Sequence, residues 1–382
     1  MAVAAGGADA LALTGSAWIN AWTLARACRG LGVQVCVPPG TPGFPLPERR
    51  DGQRVQWQFF TEEASLRAAL EAAAAGDAEG RFLPEAFPAA LLDDKWAFAE
   101  FLAADDGGPR GLAQWPLAAL DAPSHEAATL TVGVSGSSGA AGARPRFPLL
   151  LKARHSWWRG RKLPRGWVCR DASELAARLA GLDAEGLDRA HFFLQEWLGD
   201  DGHHVLSVGG FFDAADESRN LALVTDRVAS YGEGPNSSAM LVTVPDVNGL
   251  VPAAWRVLRR LGYRGPFEME FIEASGQCRV IELNPRFWMQ HGLFLAIGNG
   301  LVRRYLGLPP EGEPALDPSR GPAPPLAWID GTWLLRGLLR GDRNVLGPWW
   351  RWCGRRGYRA VVCPSIGYLL ALQTRRLLGG KP

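Results

Sequence analysis

The sequence lacks the features that mark secreted, membrane-spanning or nucleic-acid-binding proteins. Its six cysteines form no Cys-x-x-Cys pair and no regular spacing, so we expect thiols in a reducing compartment, not disulfides or zinc ligands. No run reaches the roughly 18 to 20 apolar residues that cross a bilayer, and the first residues lack the basic start and apolar run of a signal peptide. A net charge of +2 argues against a dedicated nucleic-acid binder. The expected location is the cytoplasm.

The composition is that of a folded protein with more than one domain. Of the 382 residues, 47% are hydrophobic and 21% are charged, and a chain of this length exceeds one simple core. A strand at 10–14, a helix at about 17–29 and a strand at 33–37 predict the start of a parallel sheet, a pattern typical of nucleotide-binding units. However, Gly15 stands alone where a dinucleotide fold needs Gly-x-Gly-x-x-Gly.

Acidic residues alternate with apolar ones in a predicted β-hairpin near position 270. A strand that contains Glu268 and Glu270 is followed by a Ser-Gly turn at 275–276 and a return strand at 279–283. Because side chains alternate along a strand, both glutamates share one face. For Glu-x-Glu alone, an exposed hairpin with solvated glutamates is the favoured interpretation.

The return strand ends in Glu282-Leu-Asn284-Pro-Arg286, a sequence that solvation alone would not require. Glu282 and Asn284 are expected beside the two glutamates, where carboxylate and amide oxygens suit Mg²⁺. Arg286 adds a planar cation for the phosphate that such a metal would carry.

The hairpin resembles the metal-binding end of the ATP-grasp superfamily, where Glu-x-Glu-Phe is followed about a dozen residues later by Glu-(Ile/Leu/Met)-Asn-Pro-Arg. The resemblance implies that Glu270, Glu282 and Asn284 hold the Mg²⁺ ions that bridge the phosphates of ATP, with Mn²⁺ as an alternative metal. It also implies that Arg286 contacts the transferred phosphoryl group or the acyl phosphate.

Further matching positions occur in the family's order. The resemblance implies that Lys95, at a predicted helix start, and Lys152, at a strand end, reach the ATP phosphates. It implies that Gln195, Glu196 and Leu198 lie in the linker that binds adenine. From the residues alone, a solvated lysine and a buried strand end are the plainer interpretations of these positions.

Two further segments near the expected acceptor side match the family, and a third segment, at 155–162, departs from it. Arg227 ends a predicted strand, where the family commonly keeps an arginine for the γ-phosphate or acyl phosphate. The loop at 230–239 resembles the substrate-side loop. At 155–162, however, a glycine-rich phosphate loop is replaced by His-Ser-Trp-Trp-Arg-Gly-Arg-Lys. The cations that could grip phosphates there are Arg159, Arg161 and Lys162.

The resemblance implies a mixed α/β and α+β architecture, an ATP-grasp fold of the carbamoyl phosphate synthetase or biotin carboxylase type. We expect a small α/β domain at 1–90 and the ATP-grasp domain at 91–306. Within the latter, the lid subdomain spans about 147–197 and the metal-binding subdomain about 198–306. A Gly/Ser-rich loop at 122–146 is expected to be a linker without chemistry.

The predicted C-terminal extension, 307–382, begins with a Pro-rich linker and is basic and aromatic. From Leu326 onward it holds ten basic residues and two acidic ones, interleaved with tryptophans. This composition is compatible with binding to an anionic carrier or a membrane surface. A terminal helix at 364–378 that packs on the core with solvated arginines is the favoured alternative.

The activity that the resemblance implies is ATP-dependent ligation of a carboxylate to an amine or a thiol through an acyl phosphate. Positioning and charge neutralisation dominate such phosphoryl transfer, so no covalent nucleophile is needed. The expected partners are a small acid and amine, with no nucleic acid. A homodimer is compatible with the sequence, and so is a membrane or carrier contact through the basic aromatic tail. A kinase-like enzyme and a non-catalytic ATP-binding carrier are the alternatives. No motif identifies the acid or the amine.

Overall fold

The computed structural model describes residues 9–14, 18–33, 35–37, 46, 54–117, 145–158, 161–164, 166–198, 204–231, 238–274, 276–309 and 316–377. The chain begins with a three-stranded parallel sheet of order β2–β1–β3. Its elements are β1 (Asp9–Thr14), α1 (Trp18–Arg29), β2 (Val35–Cys36), β3 (Arg54–Phe60) and α2 (Glu63–Ala74). A helix between the first two strands is what a parallel pair requires, and the predicted β-α-β start is confirmed.

An antiparallel four-stranded sheet of order β4–β9–β5–β8 forms the second unit. The elements from here to its last strand are α3 (Lys95–Ala103), β4 (Gln114–Pro116), β5 (Leu149–Ala153), β6 (Trp157–Trp158), β7 (Arg161–Lys162), β8 (Gly166–Cys169), α4 (Ala172–Ala184) and β9 (Phe192–Glu196). Strands β6 and β7 form a small separate hairpin. Helix α4 starts at Asp171, which accepts the backbone N–H of Glu174, and buries Leu175 and Leu182 with Leu151 and Leu194.

The largest sheet has seven strands in the order β14–β13–β10–β11–β12–β15–β16. Its pairs are antiparallel except β15 with β16. The strands and the helix that follows the third of them are β10 (His204–Asp213), β11 (Leu221–Ser230), β12 (Ser238–Val244), α5 (Leu250–Arg260), β13 (Arg264–Ala274), β14 (Gln277–Asn284), β15 (Leu326–Asp330) and β16 (Arg359–Cys363). The predicted metal hairpin is β13–β14.

The two faces of this sheet are covered differently. On one face, Val208, Met269 and Phe271 pack with α5. On the other, Phe211 and Trp288 share a core with Phe59 of the first domain. The first domain therefore covers the face that is opposite to α5.

Helices follow the hairpin and end the chain. They are a 3₁₀ helix (Met289–Ile297), α6 (Gly300–Tyr305), α7 (Gly331–Arg340), α8 (Arg343–Trp349), a π-helix (Trp350–Arg355) and α9 (Ile366–Leu377). Gly298 and Asn299, which adopt φ of 104° and 64°, separate the 3₁₀ helix from α6. No helix within the described ranges is long and apolar enough to cross a membrane.

The C-terminal segment differs from the extension predicted at 307–382. Strand β15 pairs with β12, in the register Leu241 to Trp328, and β16 continues the sheet beyond it. Trp328 and Ile329 are fully buried. This segment therefore forms part of the large sheet, and its terminal helix α9 lies where the alternative interpretation placed a helix.

Candidate nucleotide and metal site

The hairpin places its polar side chains on one face. Glu268 is paired with Asn284, and Glu270 with Glu282, before a register shift beyond Glu270. Paired residues of antiparallel strands project to the same side. The predicted convergence of these four side chains is therefore confirmed by the strand register.

The same face continues across the neighbouring strands. Ser207 on β10 is opposite Glu270, and Thr225 on β11 is opposite Ser207. Glu282, Glu270, Ser207 and Thr225 thus form a row across four strands. Arg227 lies two residues beyond Thr225 and projects from the same face by alternation.

Burial and like charge combine at Glu268. This side chain is 5% exposed, and its Oε2 accepts a hydrogen bond of 3.1 Å from Nδ2 of Asn284. Burial raises the pKa of Glu268 well above its usual range, the carboxylates of Glu270 and Glu282 raise it further, and Arg286 opposes the change. Alternation along the strand predicts Glu268 on this face, but the family resemblance does not include it among the metal ligands.

The donor set at the hairpin fits a hard divalent cation. Glu270, Glu282 and Asn284 provide carboxylate and amide oxygens, the ligands that Mg²⁺ prefers, and a cation there would offset the clustered negative charge. In the described part of the chain, no three His, Cys, Asp or Glu side chains are already gathered as a metal site. The fit therefore rests on the chemistry and the shared face of the three predicted ligands.

Arg286 lies beside this donor set and is held from two sides. Its Nη2 is 3.5 Å from Oδ1 of Asn284, and its Nε donates to Oε1 of Glu63 at 2.7 Å. Glu63 comes from α2 in the first domain and was not predicted. No local signal could have revealed it, because the pair forms only when the first domain docks on the hairpin.

The four-stranded sheet brings Lys152 and Gln195 together. Lys152 on β5 is 7% exposed, and its Nζ donates to Oε1 of Gln195 on β9 at 3.4 Å. Gln114 on β4 is paired with Gln195. The amide nitrogen of Gln195 and the amide oxygen of Gln114 are buried with no hydrogen-bond partner among the described residues. Such atoms are suited to the polar edge of a planar ligand.

Glu196 is on the opposite face of β9 from Gln195. Its carboxylate accepts the backbone N–H of Ala113 at 2.8 Å and forms an ion pair with Arg279 of β14. Glu196 therefore links the four-stranded sheet to β14 of the seven-stranded sheet, and it does not lie beside Lys152. Leu198 is half-buried just beyond β9.

Lys95 lies at the start of α3, close to the chain that leaves β5. Its backbone N–H donates to the carbonyl of Arg154, two residues after Lys152, at 3.0 Å. Its Nζ is 3.5 Å from Oδ1 of Asp93 and 3.4 Å from Oγ of Ser156. Lys95 and Lys152, the two predicted phosphate-binding lysines, are therefore connected through residues 152–156, the segment that leaves β5.

The segment that replaces a glycine-rich loop forms the β6–β7 hairpin. Asp93 anchors its base by accepting the backbone N–H of Ser156 at 2.8 Å. The predicted phosphate cation Arg161 forms an ion pair with Glu185 instead. The predicted positions outside the described residues are Arg159, the side chain of Lys162, residues 122–144 of the linker and residues 232–237 of the substrate-side loop.

The end of α7 and the helices after it carry exposed apolar and basic side chains. Leu338, Leu339 and Trp350 are 46%, 73% and 59% exposed. The exposed arginines between α7 and β16 are Arg336, Arg340, Arg343, Arg351, Arg355, Arg356 and Arg359. These seven arginines are accompanied by one acidic residue, Asp342, which caps α8. The surface is therefore strongly cationic.

Comparison with solved structures shows which known folds this chain resembles. An ADP complex of N5-carboxyaminoimidazole ribonucleotide synthetase is 14% identical, with 88% of this chain and 85% of that chain covered and a TM-score of 0.56. The carboxyaminoimidazole ribonucleotide synthase of Aspergillus clavatus with ATP is 15% identical, with 79% and 77% covered and a TM-score of 0.54.

Biotin carboxylase of Campylobacter jejuni is 12% identical, with 84% of this chain and 74% of that chain covered and a TM-score of 0.52. The chain therefore shares the fold of these enzymes, which is the ATP-grasp fold. The fold class implied by the sequence motifs is confirmed. No protein-family model and no curated protein sequence matches the chain.

Proposed function

We propose that this protein is an ATP-dependent ligase that joins a small carboxylate to an amine through an acyl phosphate. The observation that carries the proposal is the shared face of Glu270, Glu282 and Asn284, with the guanidinium of Arg286 beside it. An acidic and amide donor set next to a fixed cation is the arrangement that phosphoryl transfer from a metal-bound nucleotide requires. Similar solved structures that contain ATP or ADP support nucleotide binding.

Every predicted site residue except Glu196, which pairs with Arg279, has a role in this proposal. Glu270, Glu282 and Asn284 would hold Mg²⁺, which when bound would offset the negative charge of the phosphates. Lys95 and Lys152 would bind phosphates, while Gln195 and Leu198 would contact the adenine. Arg227 and Arg286 would stabilise charge on the group in transfer.

The reaction balances without a protein nucleophile. A carboxylate oxygen of the acid forms a bond to the γ-phosphorus, and the bond from that phosphorus to the β,γ-bridging oxygen breaks to release ADP. The amine nitrogen then bonds to the carbonyl carbon of the acyl phosphate. Phosphate leaves with the electrons of the C–O bond, and the nitrogen loses a proton. A thiol acceptor would follow the same two steps.

A screen for ADP release with small acids and amines tests the proposal. Hydroxylamine in the same reactions would trap an acyl phosphate as a hydroxamate, whereas a kinase that stops at a phosphorylated alcohol gives none. We expect Glu282→Ala to abolish Mg²⁺-dependent turnover while the chain stays folded, as judged by circular dichroism. Full activity in Glu282→Ala would refute the metal assignment, and a wild-type chain that binds no nucleotide would refute the ligase.

For partners beyond small molecules, we infer that the cationic end of α7 contacts an anionic lipid surface. Exposed Leu338 and Leu339 can enter the headgroup region while the surrounding arginines meet lipid phosphates. Sedimentation with phosphatidylglycerol vesicles, but not with phosphatidylcholine vesicles, is the expected result. Leu339→Ser should weaken it, and Val247→Ser, at an exposed apolar position elsewhere, should not.

A further inference from the structure

The first domain meets the residues that follow β14 at the end of β3. The backbone N–H of Phe287 donates to the carbonyl of Phe60 at 3.2 Å, and the rings of Phe59 and Phe287 are 5.5 Å apart. Glu63 is three residues after Phe60, in the first turn of α2. The docking of the two domains therefore brings an acidic side chain to Arg286.

The contact between Glu63 and Arg286 fixes the guanidinium. Both Nε and Nη2 lie 2.7 Å from Oε1 of Glu63, and the two side chains are 13% and 17% exposed. Nη1 donates to the carbonyl of Phe287 at 3.1 Å, and Nη2 is 3.5 Å from Oδ1 of Asn284. Each guanidinium nitrogen thus has a contact, and hydrogen bonds of this charged type are strong and directional.

Neutralisation of the charge on Arg286 does not by itself explain why Glu63 lies beside the guanidinium. Arg286 already lies in the electrostatic field of Glu268 and Glu282, which belong to the hairpin. Without a carboxylate on the other side, the buried guanidinium would be drawn to these two side chains. A predicted metal ligand, Glu282, would then be occupied by an arginine. The contact with Glu63 draws the guanidinium away from the carboxylates of the hairpin.

We propose that Glu63 is a positioning residue that holds the guanidinium of Arg286 toward the terminal phosphate of the bound nucleotide. The inference rests on the proposed function. Asn284 connects the predicted metal site with Arg286, because it is a predicted metal ligand and also a neighbour of the guanidinium. A phosphate that shares the metal would therefore lie beside Arg286. Since ATP differs from ADP only in the terminal phosphate, loss of Glu63 should affect ATP binding selectively.

The test compares two nucleotides by isothermal titration calorimetry on the full chain with Mg²⁺. The ligands are ADP and the β,γ-imido analogue of ATP, which is not hydrolysed. We expect Glu63→Ala to weaken binding of the analogue by roughly tenfold, the usual scale for loss of one charged hydrogen-bonded contact. Binding of ADP should be unchanged. Glu71→Ala, at an exposed position of the same helix, should match the wild type for both nucleotides.

Further variants keep the test independent of folding. Glu63→Gln retains a hydrogen-bond acceptor and should give an intermediate loss for the analogue. Arg286→Ala and the Glu63→Ala/Arg286→Ala double variant should show the same affinities, because Glu63 acts through Arg286. Equal weakening of both nucleotides in Glu63→Ala, no change in either, or a further loss in the double variant would overturn the inference. A wild-type chain that binds neither nucleotide would instead refute the proposed function.

Discussion

His291 shows how one buried side chain makes stability depend on pH. It is 1% exposed, and its Nδ1 donates to the carbonyl of Trp288, so the unprotonated Nε2 is buried with no hydrogen-bond partner among the described residues. Burial lowers the pKa of His291 from 6.5 to about 4. In the unfolded chain the ring takes a proton near pH 6.5, whereas the folded chain excludes it until about pH 4.

This difference predicts a loss of stability on acidification. The unfolding free energy should fall as the pH drops from about 6.5 to about 4, by about 3 kcal/mol from this residue alone. Urea denaturation at a series of pH values measures it. His291→Asn keeps a donor for the Trp288 carbonyl but cannot titrate, so its curve should lack this component. Parallel curves for the two proteins would contradict the assignment.

At the scale of elements, strand β10 is held close to the chain after the hairpin by a glycine. A Cβ at Gly209 would lie 2.4 Å from Cζ2 of Trp288, whose ring is 4% exposed and cannot move aside freely. We expect Gly209→Ala to lower the unfolding free energy by about 1–3 kcal/mol. Gly181→Ala in α4 meets no atom within 4 Å and should be neutral or stabilising. Thermal denaturation compares them, and equal melting temperatures would contradict this packing.

The elements also show what could be predicted from the sequence. Alternation along β13 is a local property, so the shared face of Glu268 and Glu270 follows from the chain itself. The partnership of Glu63 with Arg286 spans 223 positions and depends on how the first domain docks. Likewise, the direction of Glu196 toward Arg279 depends on the approach of two sheets. Such long-range contacts leave no periodic signal in one sequence.

At the scale of the whole molecule, the position of β15 determines which parts can fold alone. The sequence predicts an extension at 307–382, and removal of a mere extension would leave the core intact. However, β15 covers the edge of β12, where Met240, Leu241 and Val242 are at most 1% exposed. Without β15, this apolar edge and its unpaired backbone groups would meet solvent.

We therefore expect a chain that ends at residue 315 to fail to form a stable fold. Because β15 and β16 belong to the same sheet as the metal hairpin, their loss should remove the cooperative thermal transition of the whole molecule and not only a minor C-terminal step. Removal of 378–382, beyond α9, is the matched control and should leave the melting temperature unchanged. Differential scanning calorimetry distinguishes the two cases. If the chain ending at 315 unfolds cooperatively at the temperature of the full chain, the C-terminal strands contribute nothing to the core that holds the site.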